Sequence, residues 1–397
     1  TVANIARLVT QAQTGKAPVQ RLADRVAAVF VPIVIVIAVF TFIVWWLVSK
    51  DVQSAMTAAV AVLVIACPCA LGLATPTALL VGTGTGARMG IIIRGPEVLE
   101  STRSVDTIVF DKTGTVTSGR LSVRDVTTFN ATRDSILFYA ASVESGSEHP
   151  VAQAIVAASD RVAPVHEFVN ERGLGVQGIV DGVLVRVGRP SWVFDGGTGD
   201  GIAVAWDGEI RGLISVSDAV RPTSAVAIAA LKTMGITPIL LTGDSREAAT
   251  AVAAEVGISQ VIAEVLPEEK LAEILRLQGA RRTVAMVGDG VNDAAALTAA
   301  DLGIAMGSGT DVAIEASDIT LMRADLLAVV DAIRLSRRTL GTIKGNLFWA
   351  FAYNVAMIPL AALGLLNPMW AGAAMAFSSV FVVLNSLRLR RFTPFPA

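Results

Sequence analysis

The stretch Thr107–Thr115, TIVFDKTGT, predicts a buried β-strand that ends at an acidic side chain. A short run of β-branched and aromatic residues favours a strand, and Asp111 follows it directly, with Gly114 permitting a tight turn. Two later stretches repeat this pattern: Pro238–Leu241 precedes Thr242-Gly-Asp244, and Thr283–Val287 precedes Gly288-Asp289. The carboxyl ends of parallel strands meet at one edge of an open sheet, where ligands bind, so these polar residues are expected to converge on one site.

The composition requires both a membrane part and a water-soluble part. Of the 397 residues, 53% are hydrophobic and 17% are charged, which is too apolar for a soluble enzyme of this length. However, 34 acidic residues, 32 basic residues and 34 glycines cannot all be placed in a helical bundle that faces lipid. A formal net charge of -2 leaves no basic excess for phosphates, so nucleic acid is not an expected partner.

Three uncharged regions predict four membrane spans. Val26–Ser49 is long enough to cross about 30 Å of hydrocarbon at about 1.5 Å per residue. Val52–Ala87 predicts a second span that is interrupted at Pro68 and at Pro76, because proline removes a helix hydrogen bond. Gly345–Leu387 is about twice as long as one span and contains a Leu-Asn-Pro break, so it predicts two more spans. The flanking basic residues assign these ends to the cytoplasm by the positive-inside rule: Lys16, Arg21, Arg25, Arg334, Arg337, Arg338, Lys344, Arg388, Arg390 and Arg391.

The region between the second and third uncharged stretches alternates short apolar runs with amphipathic stretches, which is typical of an α/β domain. Its middle part is instead rich in Val-Gly-Asp turns and short strands, and predicts a second, α+β domain inserted into the first. The predicted boundaries are 1–25 for a linker, 26–87 for a membrane hairpin, 88–120 and 214–335 for the α/β domain, 121–213 for the inserted domain and 345–387 for two final membrane helices.

Asp111 is a candidate nucleophile. A carboxylate at the end of a strand can attack phosphorus and form an acyl phosphate. The stretch Gly288–Asp293 supplies two further carboxylates that suit Mg²⁺, and Lys270 can offset the charge of a phosphate. Together these residues predict a phosphoryl-transfer site.

Two features that the sequence lacks, a P-loop motif and a carboxylate two residues after Asp111, indicate which class of phosphoryl-transfer protein this is. A P-loop ATPase is excluded, because Gly82–Gly86 is glycine-rich but lacks the lysine of a Gly-x-x-x-x-Gly-Lys-Ser/Thr motif. A phosphatase with an aspartyl intermediate would gain from a carboxylate two residues after the nucleophile, and that position is Thr113. The acyl phosphate is therefore expected to persist, which suits a protein that couples phosphorylation to a conformational cycle.

The sequence Cys67-Pro-Cys69 predicts a metal site within the second span. In an intact helix, residues two apart point about 200° apart, whereas Pro68 allows the helix to unwind and both sulfurs to face one interior site. Thiolates select Cu⁺ and other soft ions over Ca²⁺ or Mg²⁺. Buried cysteines can also be simple apolar residues, but two of them flanking a proline favour the metal site.

The three strand-end motifs together resemble those of P-type ATPases, whose phosphorylation domain is haloacid-dehalogenase-like. The resemblance implies that Asp111 is phosphorylated and that Mg²⁺ is bound by Asp111, Asp289 and the backbone carbonyl of Thr113. It also implies phosphate-site roles for Thr242, Lys270 and Asp293. One departure is Ala295, where the family usually has proline. We expect this change to alter a turn and to spare the chemistry.

Two motifs of the inserted domain resemble nucleotide-binding elements of the heavy-metal branch of this family. They are Ser147-Glu-His-Pro150 and Gly173-Leu-Gly-Val-Gln-Gly178. A histidine can stack on adenine or hydrogen-bond to it, and glycines allow the backbone to approach a nucleotide closely. Arg189 stands where many relatives have asparagine. The resemblance implies roles in ATP binding for Glu144, His149, Gly173 and Gly175.

The membrane motifs resemble those of the copper-type members. The resemblance implies these ligands for a transported Cu⁺ or Ag⁺ ion: Cys67, Cys69, Tyr353, Asn354, Met375 and Ser379. A zinc-type member is expected to carry an aspartate in the last span and a lysine in the span before it, and neither is present. The implied activity is ATP-driven export of Cu⁺. A Zn²⁺/Cd²⁺ P-type ATPase is the alternative within the family, and a membrane-anchored phosphatase or metal sensor is the alternative of another class.

The expected protein is a multi-pass α-helical membrane protein with a cytoplasmic α/β haloacid-dehalogenase-like domain that carries an inserted α+β nucleotide-binding domain. A bacterial cell membrane is its expected location. Its expected partners are membrane lipid, ATP and a cytoplasmic copper chaperone or thiol carrier. The sequence contains no Thr-Gly-Glu actuator loop, which family members use to dephosphorylate the aspartate. The chain is therefore expected to be the carboxyl-terminal part of a transporter.

Overall fold

The computed structural model describes residues 18–67, 69–194, 201–289, 291–307 and 314–396. The chain divides into two compact units. One comprises Lys112–Pro222, and the other comprises the residues before and after it. The predicted inserted domain, 121–213, lies within the first of these units, which extends further at both ends because its two longest strands pair as far as Thr117 and Val220.

The helices and strands are numbered here in chain order. The helices are α1 Pro18–Ser49, α2 Val52–Ile65, α3 Cys69–Arg88, α4 Pro96–Ser104, α5 Arg133–Glu144, α6 Pro150–Ala157, α7 Pro190–Val193, α8 Ser224–Thr233, α9 Arg246–Val256, α10 Pro267–Gly279, α11 Ala294–Ala299, α12 Leu327–Ala362 and α13 Pro368–Leu387. The strands are β1 Ile91–Ile93, β2 Thr107–Asp111, β3 Thr117–Thr128, β4 His166–Glu171, β5 Gly175–Val180, β6 Val183–Gly188, β7 Ile202–Trp206, β8 Glu209–Val220, β9 Thr237–Leu241, β10 Gln260–Ile262, β11 Val284–Gly288, β12 Leu302–Met306 and β13 Ile319–Leu321.

The larger unit contains a seven-stranded sheet in the order β1-β13-β12-β11-β2-β9-β10. All neighbouring strands are parallel except β1 and β13. The central strand β2 pairs with both β11 and β9, and Val109 is opposite Met286 on one side and Ile239 on the other. These three side chains are buried in one apolar cluster, as expected for a strand covered on both faces. The predicted parallel α/β sheet is confirmed, and it brings the ends of β2, β9 and β11 to one edge.

The smaller unit contains a six-stranded antiparallel sheet in the order β3-β8-β7-β6-β5-β4. Helices α5 and α6 cover one face of this sheet, where Ile136 and Ile155 pack with Val185 and Val187 of β6. Alternation of buried and exposed residues along β6 follows from the period of two of a strand with one covered face. This arrangement agrees with the α+β domain that the sequence predicts.

Four candidate membrane spans are present among the described residues, as predicted. They lie at Ala28–Ser49, Val52–Arg88, Leu327–Ala362 and Pro368–Arg391. The predicted break in the second span is confirmed, because α2 ends at Ile65 and α3 begins at Cys69. Pro68, which lies between them in the sequence, is outside the described residues.

Two details of the membrane helices differ from the prediction. Pro76 does not interrupt the second span, since α3 continues through it; the loss of a single hydrogen bond is tolerated inside a packed helix. Helix α12 begins at Leu327, well before the uncharged region that starts at Gly345. Its first part carries the buried residues Val330, Ile333 and Leu340, and the helix packs against α4 and α8 of the α/β domain as well as against α3. The absence of charge therefore marked where the helix meets lipid and not where the helix begins.

Glycines of Gly82–Gly86 allow α3 and α12 to pack closely. A Cβ atom at Gly82 would lie 2.5 Å from the hydroxyl of Thr339, and one at Gly86 would lie 3.2 Å from a methyl group of Leu335. Gly82 and Gly86 are four residues apart, so they lie on the same helix face. Close approach through small residues is a common mode of helix packing in membranes. This packing explains the glycine-rich run that lacks the features of a phosphate-binding loop.

Candidate functional site

Lys270 joins two acidic residues at the carboxyl edge of the parallel sheet. Its Nζ atom donates hydrogen bonds to Oδ1 of Asp111 at 2.5 Å and to Oδ1 of Asp293 at 2.7 Å. Asp111 ends β2, Asp293 ends the 3₁₀ turn Val291–Asp293 that follows β11, and Lys270 lies in the first turns of α10. All three side chains are buried. The structure thus brings together three of the residues that the sequence singled out.

Asp289 completes a group of three carboxylates. Oxygen atoms of Asp111, Asp289 and Asp293 all lie within 4.8 Å of one another. Three carboxylates this close repel each other unless cations compensate them, and Lys270 supplies only one positive charge. Hard carboxylate oxygens are ligands that Mg²⁺ prefers. The donor set therefore fits a divalent cation of that kind.

Burial and, to a lesser extent, the nearby Asp293 raise the pKa of Asp111 to about 7, although Lys270 opposes the increase. Burial alone would lower the pKa of Lys270, but Asp111 and Asp293 outweigh that effect and raise it. Lys270 is therefore held in its charged form. A buried carboxyl group of raised pKa beside a fixed cation is typical of a reactive site.

Thr242 lies at the same sheet edge. It follows β9 directly, and its strand neighbour Leu241 pairs with Asp111. Its hydroxyl is buried and accepts a hydrogen bond from the backbone N–H of Asp244 at 3.2 Å. The structure thus places Thr242 where a hydroxyl can face a group bound at Asp111.

Thr113 lies in a tight turn immediately after β2. Its φ and ψ angles of -76° and 129°, followed by 74° and -14° at Gly114, describe a type II β-turn, which favours glycine at the second central position. This observation explains the glycine of the motif. The predicted role of the Thr113 carbonyl as a Mg²⁺ ligand stays a prediction.

Sequence reasoning missed Arg221. Its Nη2 atom donates to the carbonyl of Gly114 at 2.6 Å and its Nε atom donates to the carbonyl of Thr115 at 3.0 Å. The side chain therefore fixes the turn that follows Asp111. No local signal in the sequence reveals this, because more than 100 residues separate the partners. Only the pairing of β3 with β8 brings them together.

The smaller unit contains the four residues predicted to bind nucleotide. Glu144 ends α5 and is buried, and this burial raises its pKa to about 7. His149 begins α6 as its N-cap, where its Nδ1 atom accepts a hydrogen bond from the backbone N–H of Val151 at 3.3 Å. The imidazole is exposed, so its Nε2 atom is free to meet a ligand.

Different features of the structure favour glycine at the two predicted positions, Gly173 and Gly175. Gly173 has a φ of +77° and open space around it. A Cβ at Gly175 would lie 2.3 Å from the carbonyl oxygen of Val187, so only glycine fits beside β6. The N–H of Arg189 donates to the carbonyl of Leu174 at 2.8 Å, which places Arg189 beside both glycines.

The predicted metal ligands come from three membrane helices. Cys67 is exposed just after the end of α2, whereas the side chain of Cys69, the first residue of α3, is outside the described residues. Asn354 is buried in α12. The hydroxyl of the neighbouring Tyr353 is buried and has no hydrogen-bond partner among the described residues. Met375 and Ser379 are half-buried on α13.

Two helix contacts show that Cys69, Tyr353, Asn354 and Ser379 lie at nearly the same level along the membrane helices. Gly82 of α3 meets Thr339 of the antiparallel α12. Cys69 lies thirteen residues before Gly82, and Ala352 lies thirteen residues after Thr339. Equal steps along two antiparallel helices cover equal distances, so Cys69 starts α3 close to the level of Tyr353.

A second contact sets the level of α13. Asn346 of α12 donates its Nδ2 hydrogen to Oγ of Ser386 at 2.9 Å, and Asn385 donates to Oδ1 of Asn346 at 2.7 Å. Asn354 lies eight residues after Asn346, and Ser379 lies seven residues before Ser386. Asn354 and Ser379 are therefore also at nearly the same level.

Comparison with known proteins agrees with this arrangement. A family model of haloacid dehalogenase-like hydrolases matches residues 105–301. The chain is 55% identical over 415 residues to a probable copper-exporting P-type ATPase V of Mycobacterium tuberculosis, which covers 98% of this chain and 54% of that protein. The crystal structure of a zinc-transporting PIB-type ATPase in the E2.Pi state is 32% identical, with a TM-score of 0.80, over 98% of this chain and 67% of that structure. The chain belongs to the heavy-metal P-type ATPases.

This heavy-metal P-type ATPase chain spans about half the length of the curated relatives it matches. Part of the chain is similar to the catalytic domain of the CPx-ATPase CopB-B, in a structure that concerns conformational changes upon nucleotide binding. That similarity has a TM-score of 0.51 and 32% identity, and covers 64% of this chain and 98% of the other. The family predicted from the strand-end motifs is therefore confirmed.

Proposed function

We propose that the protein containing this chain exports Cu⁺ or Ag⁺ across a membrane and that ATP drives the export by phosphorylating Asp111. The observation that carries this proposal is the pair of hydrogen bonds from Lys270 to Asp111 and Asp293. These bonds place a fixed positive charge beside a strand-end carboxylate, with Asp289 close enough to share a divalent cation.

The proposed first step is attack of a carboxylate oxygen of Asp111 on the γ-phosphorus of ATP. A bond forms between this oxygen and phosphorus, the bond from phosphorus to the oxygen that bridges to the β-phosphate breaks, and ADP leaves with that oxygen. Lys270 and the hydroxyl of Thr242 offset the negative charge on the transferred phosphoryl group. Asp293 holds Lys270 in place through the second hydrogen bond.

Asp111, Asp289 and the backbone carbonyl of Thr113 would hold Mg²⁺, which would neutralise charge on the phosphate oxygens and favour the ionised form of Asp111. Without a cation, burial raises the pKa of this carboxyl group. ATP itself would be bound by the smaller unit, with Glu144, His149, Gly173 and Gly175 around the nucleotide.

The transported ion is proposed to bind Cys67, Cys69, Tyr353, Asn354, Met375 and Ser379. Cys67 and Cys69 offer thiolates, which bind Cu⁺, Ag⁺ or Zn²⁺, whereas the neutral thioether of Met375 is a ligand for Cu⁺ or Ag⁺ and not a usual ligand for Zn²⁺. Two further observations support copper. No charged residue occurs between Gly345 and Leu387, whereas a doubly charged ion would gain from one. The relative named as a copper exporter is 55% identical, and the structure named as a zinc transporter is 32% identical. A cytoplasmic copper chaperone or thiol carrier is the proposed donor of the ion.

The test is the ATPase activity of the full-length protein in lipid vesicles with Cu⁺, Ag⁺ or Zn²⁺ under reducing conditions. We expect stimulation by Cu⁺ and Ag⁺, little response to Zn²⁺, and loss of the response in Cys67→Ser and Cys69→Ser. A hydroxyl is a poor ligand for a soft ion, which is why these changes remove the response. Stimulation by Zn²⁺ alone would assign the protein to the zinc-type alternative.

A further inference from the structure

Methionine occurs at four positions in the candidate spans that the structure describes: Met56, Met357, Met369 and Met375. Met56 and Met369 are 52% and 73% exposed at the ends of their helices. Met357 and Met375 are instead half-buried, and both pack against one cluster of buried residues. That cluster contains Ile65 and Ala66, the two residues that precede Cys67.

Met357 lies at the same level in the membrane as Met375. The reference point is the hydrogen bond between Asn346 of α12 and Ser386 of α13. Met357 follows Asn346 by eleven residues, and Met375 precedes Ser386 by eleven residues. Because the two helices are antiparallel and rise by the same distance per residue, both thioethers reach one height.

Met357 also lies on the inward face of α12. Tyr353 precedes it by four residues, which is one helical turn, and the same cluster contacts both side chains. The inward face continues through the buried residues Asn354, Ile358 and Ala361. Met375 occupies the corresponding position on α13, one turn before Ser379.

Two thioethers that share a level, an inward orientation and a packing cluster at the helix break can both approach an ion held there. We propose that Met357 is a further ligand of the transported soft ion, acting together with Met375. The thioether is neutral and polarisable, so it binds Cu⁺ or Ag⁺ without adding charge to the membrane interior. This inference rests on the proposed function. Met357 would supply a sulfur ligand one helical turn beyond Tyr353 along α12, further from the α/β sheet.

Methionine also fills gaps in apolar cores, and the test must separate packing from ligation. Met357→Leu keeps nearly the same volume and removes the sulfur. Met357→Cys keeps a sulfur atom at the position. Met369→Leu is the matched control, because Met369 lies exposed at the start of α13. The measurements on the full-length protein are the Ag⁺ concentration for half-maximal ATPase stimulation and the number of sulfur neighbours of bound Cu⁺ by X-ray absorption.

We expect Met357→Leu to raise the half-maximal Ag⁺ concentration by about tenfold and to lower the sulfur count. Met357→Cys should retain Ag⁺ sensitivity, and Met369→Leu should match the wild type. An unchanged Ag⁺ response and sulfur count in Met357→Leu would overturn the inference. If Met357→Leu does not fold, loss of Ag⁺ sensitivity in a folded Met357→Cys would overturn it instead. Failure of the proposed function is a distinct result, because the wild type itself would then show no response to Ag⁺.

Discussion

The ammonium group of Lys270 lies 2.5 Å from a carboxylate oxygen of Asp111, although 159 residues separate them in the chain. The same group lies 2.7 Å from Asp293, so one cation serves two buried carboxylates. Removing it takes away the cation that both carboxylates contact, at a site close to a third carboxylate, Asp289. Loss of Lys270 alone is therefore expected to destabilise the fold around the parallel sheet as well as to disturb the proposed chemistry.

Replacing Lys270 by methionine is expected to destabilise the soluble part of the protein. Removing one partner of a buried ion pair typically lowers the free energy of unfolding by about 3–5 kcal/mol. The measurement is urea unfolding of the soluble segment 88–340, which retains β1 and the buried start of α12. Lys232→Met is the control, because Lys232 is exposed and donates a hydrogen bond to the backbone carbonyl of Gly257, not to a carboxylate. Equal free energies of unfolding for the two variants would contradict this role of Lys270.

Replacing Gly82 by alanine is expected to loosen the contact between α3 and α12. The added Cβ would lie 2.5 Å from Oγ1 of Thr339, so one helix must move. Overpacking of this kind typically costs about 1–3 kcal/mol, and the thermal unfolding temperature of the full chain in detergent should fall. Gly84→Ala is a matched control, since nothing lies within 4 Å of its Cβ position. Equal unfolding temperatures for the two variants would contradict the close packing of α3 and α12 at Gly82.

Glu144 should make the stability of the soluble segment depend on pH. Burial raises its pKa from 4.5 to about 7, so the folded state binds the proton more tightly than the unfolded state. The resulting stabilisation is present below pH 4.5 and is lost as the pH rises through about 7. Glu144→Gln should remove this dependence and be more stable by about 2–3 kcal/mol at pH 8. The measurement is the free energy of unfolding of the wild type and of Glu144→Gln at a series of pH values. A constant difference between the two at every pH would refute the prediction.

Arg221 should affect the rate of phosphorylation and not the binding of nucleotide. Its guanidinium group holds the carbonyls of Gly114 and Thr115 in the turn after Asp111. Arg221→Met should slow labelling from ATP by about tenfold or more, while the dissociation constant of the nucleotide stays unchanged. Arg221→Lys should restore part of the rate, because lysine can reach one carbonyl but not both. Arg186→Met, on an exposed part of β6, is the control. If the affinity for nucleotide fell by the same factor as the labelling rate, Arg221 would act on nucleotide binding and not on the turn after Asp111.

The site at the sheet edge was largely predictable because each of its parts has a local sequence signal. A buried strand followed by Asp111 and another followed by Asp289 are visible in short windows, and parallel pairing then brings them together. The break between α2 and α3 was predictable for a similar reason, since Pro68 is a local cause.

Other features depend on packing between distant residues and leave no such signal. Helix α12 extends back to Leu327 because its first part packs against α4 and α8 of the α/β domain, which hydropathy does not detect. Arg221 meets the turn after Asp111 only through the pairing of β3 with β8. The common level of Met357 and Met375 depends on the contact between Asn346 and Ser386. Each of these requires the tertiary structure.

In the proposed cycle, metal and ATP together place a phosphate on Asp111. Acid-stable, hydroxylamine-labile labelling of the full-length protein by ATP that carries radioactive γ-phosphate, with Cu⁺ present or chelated, tests this step. We expect labelling that depends on Cu⁺ in the wild type, no labelling in Asp111→Asn and little effect of Zn²⁺. Labelling of Asp111→Asn at the level of the wild type would show that Asp111 is not the residue that receives the phosphate.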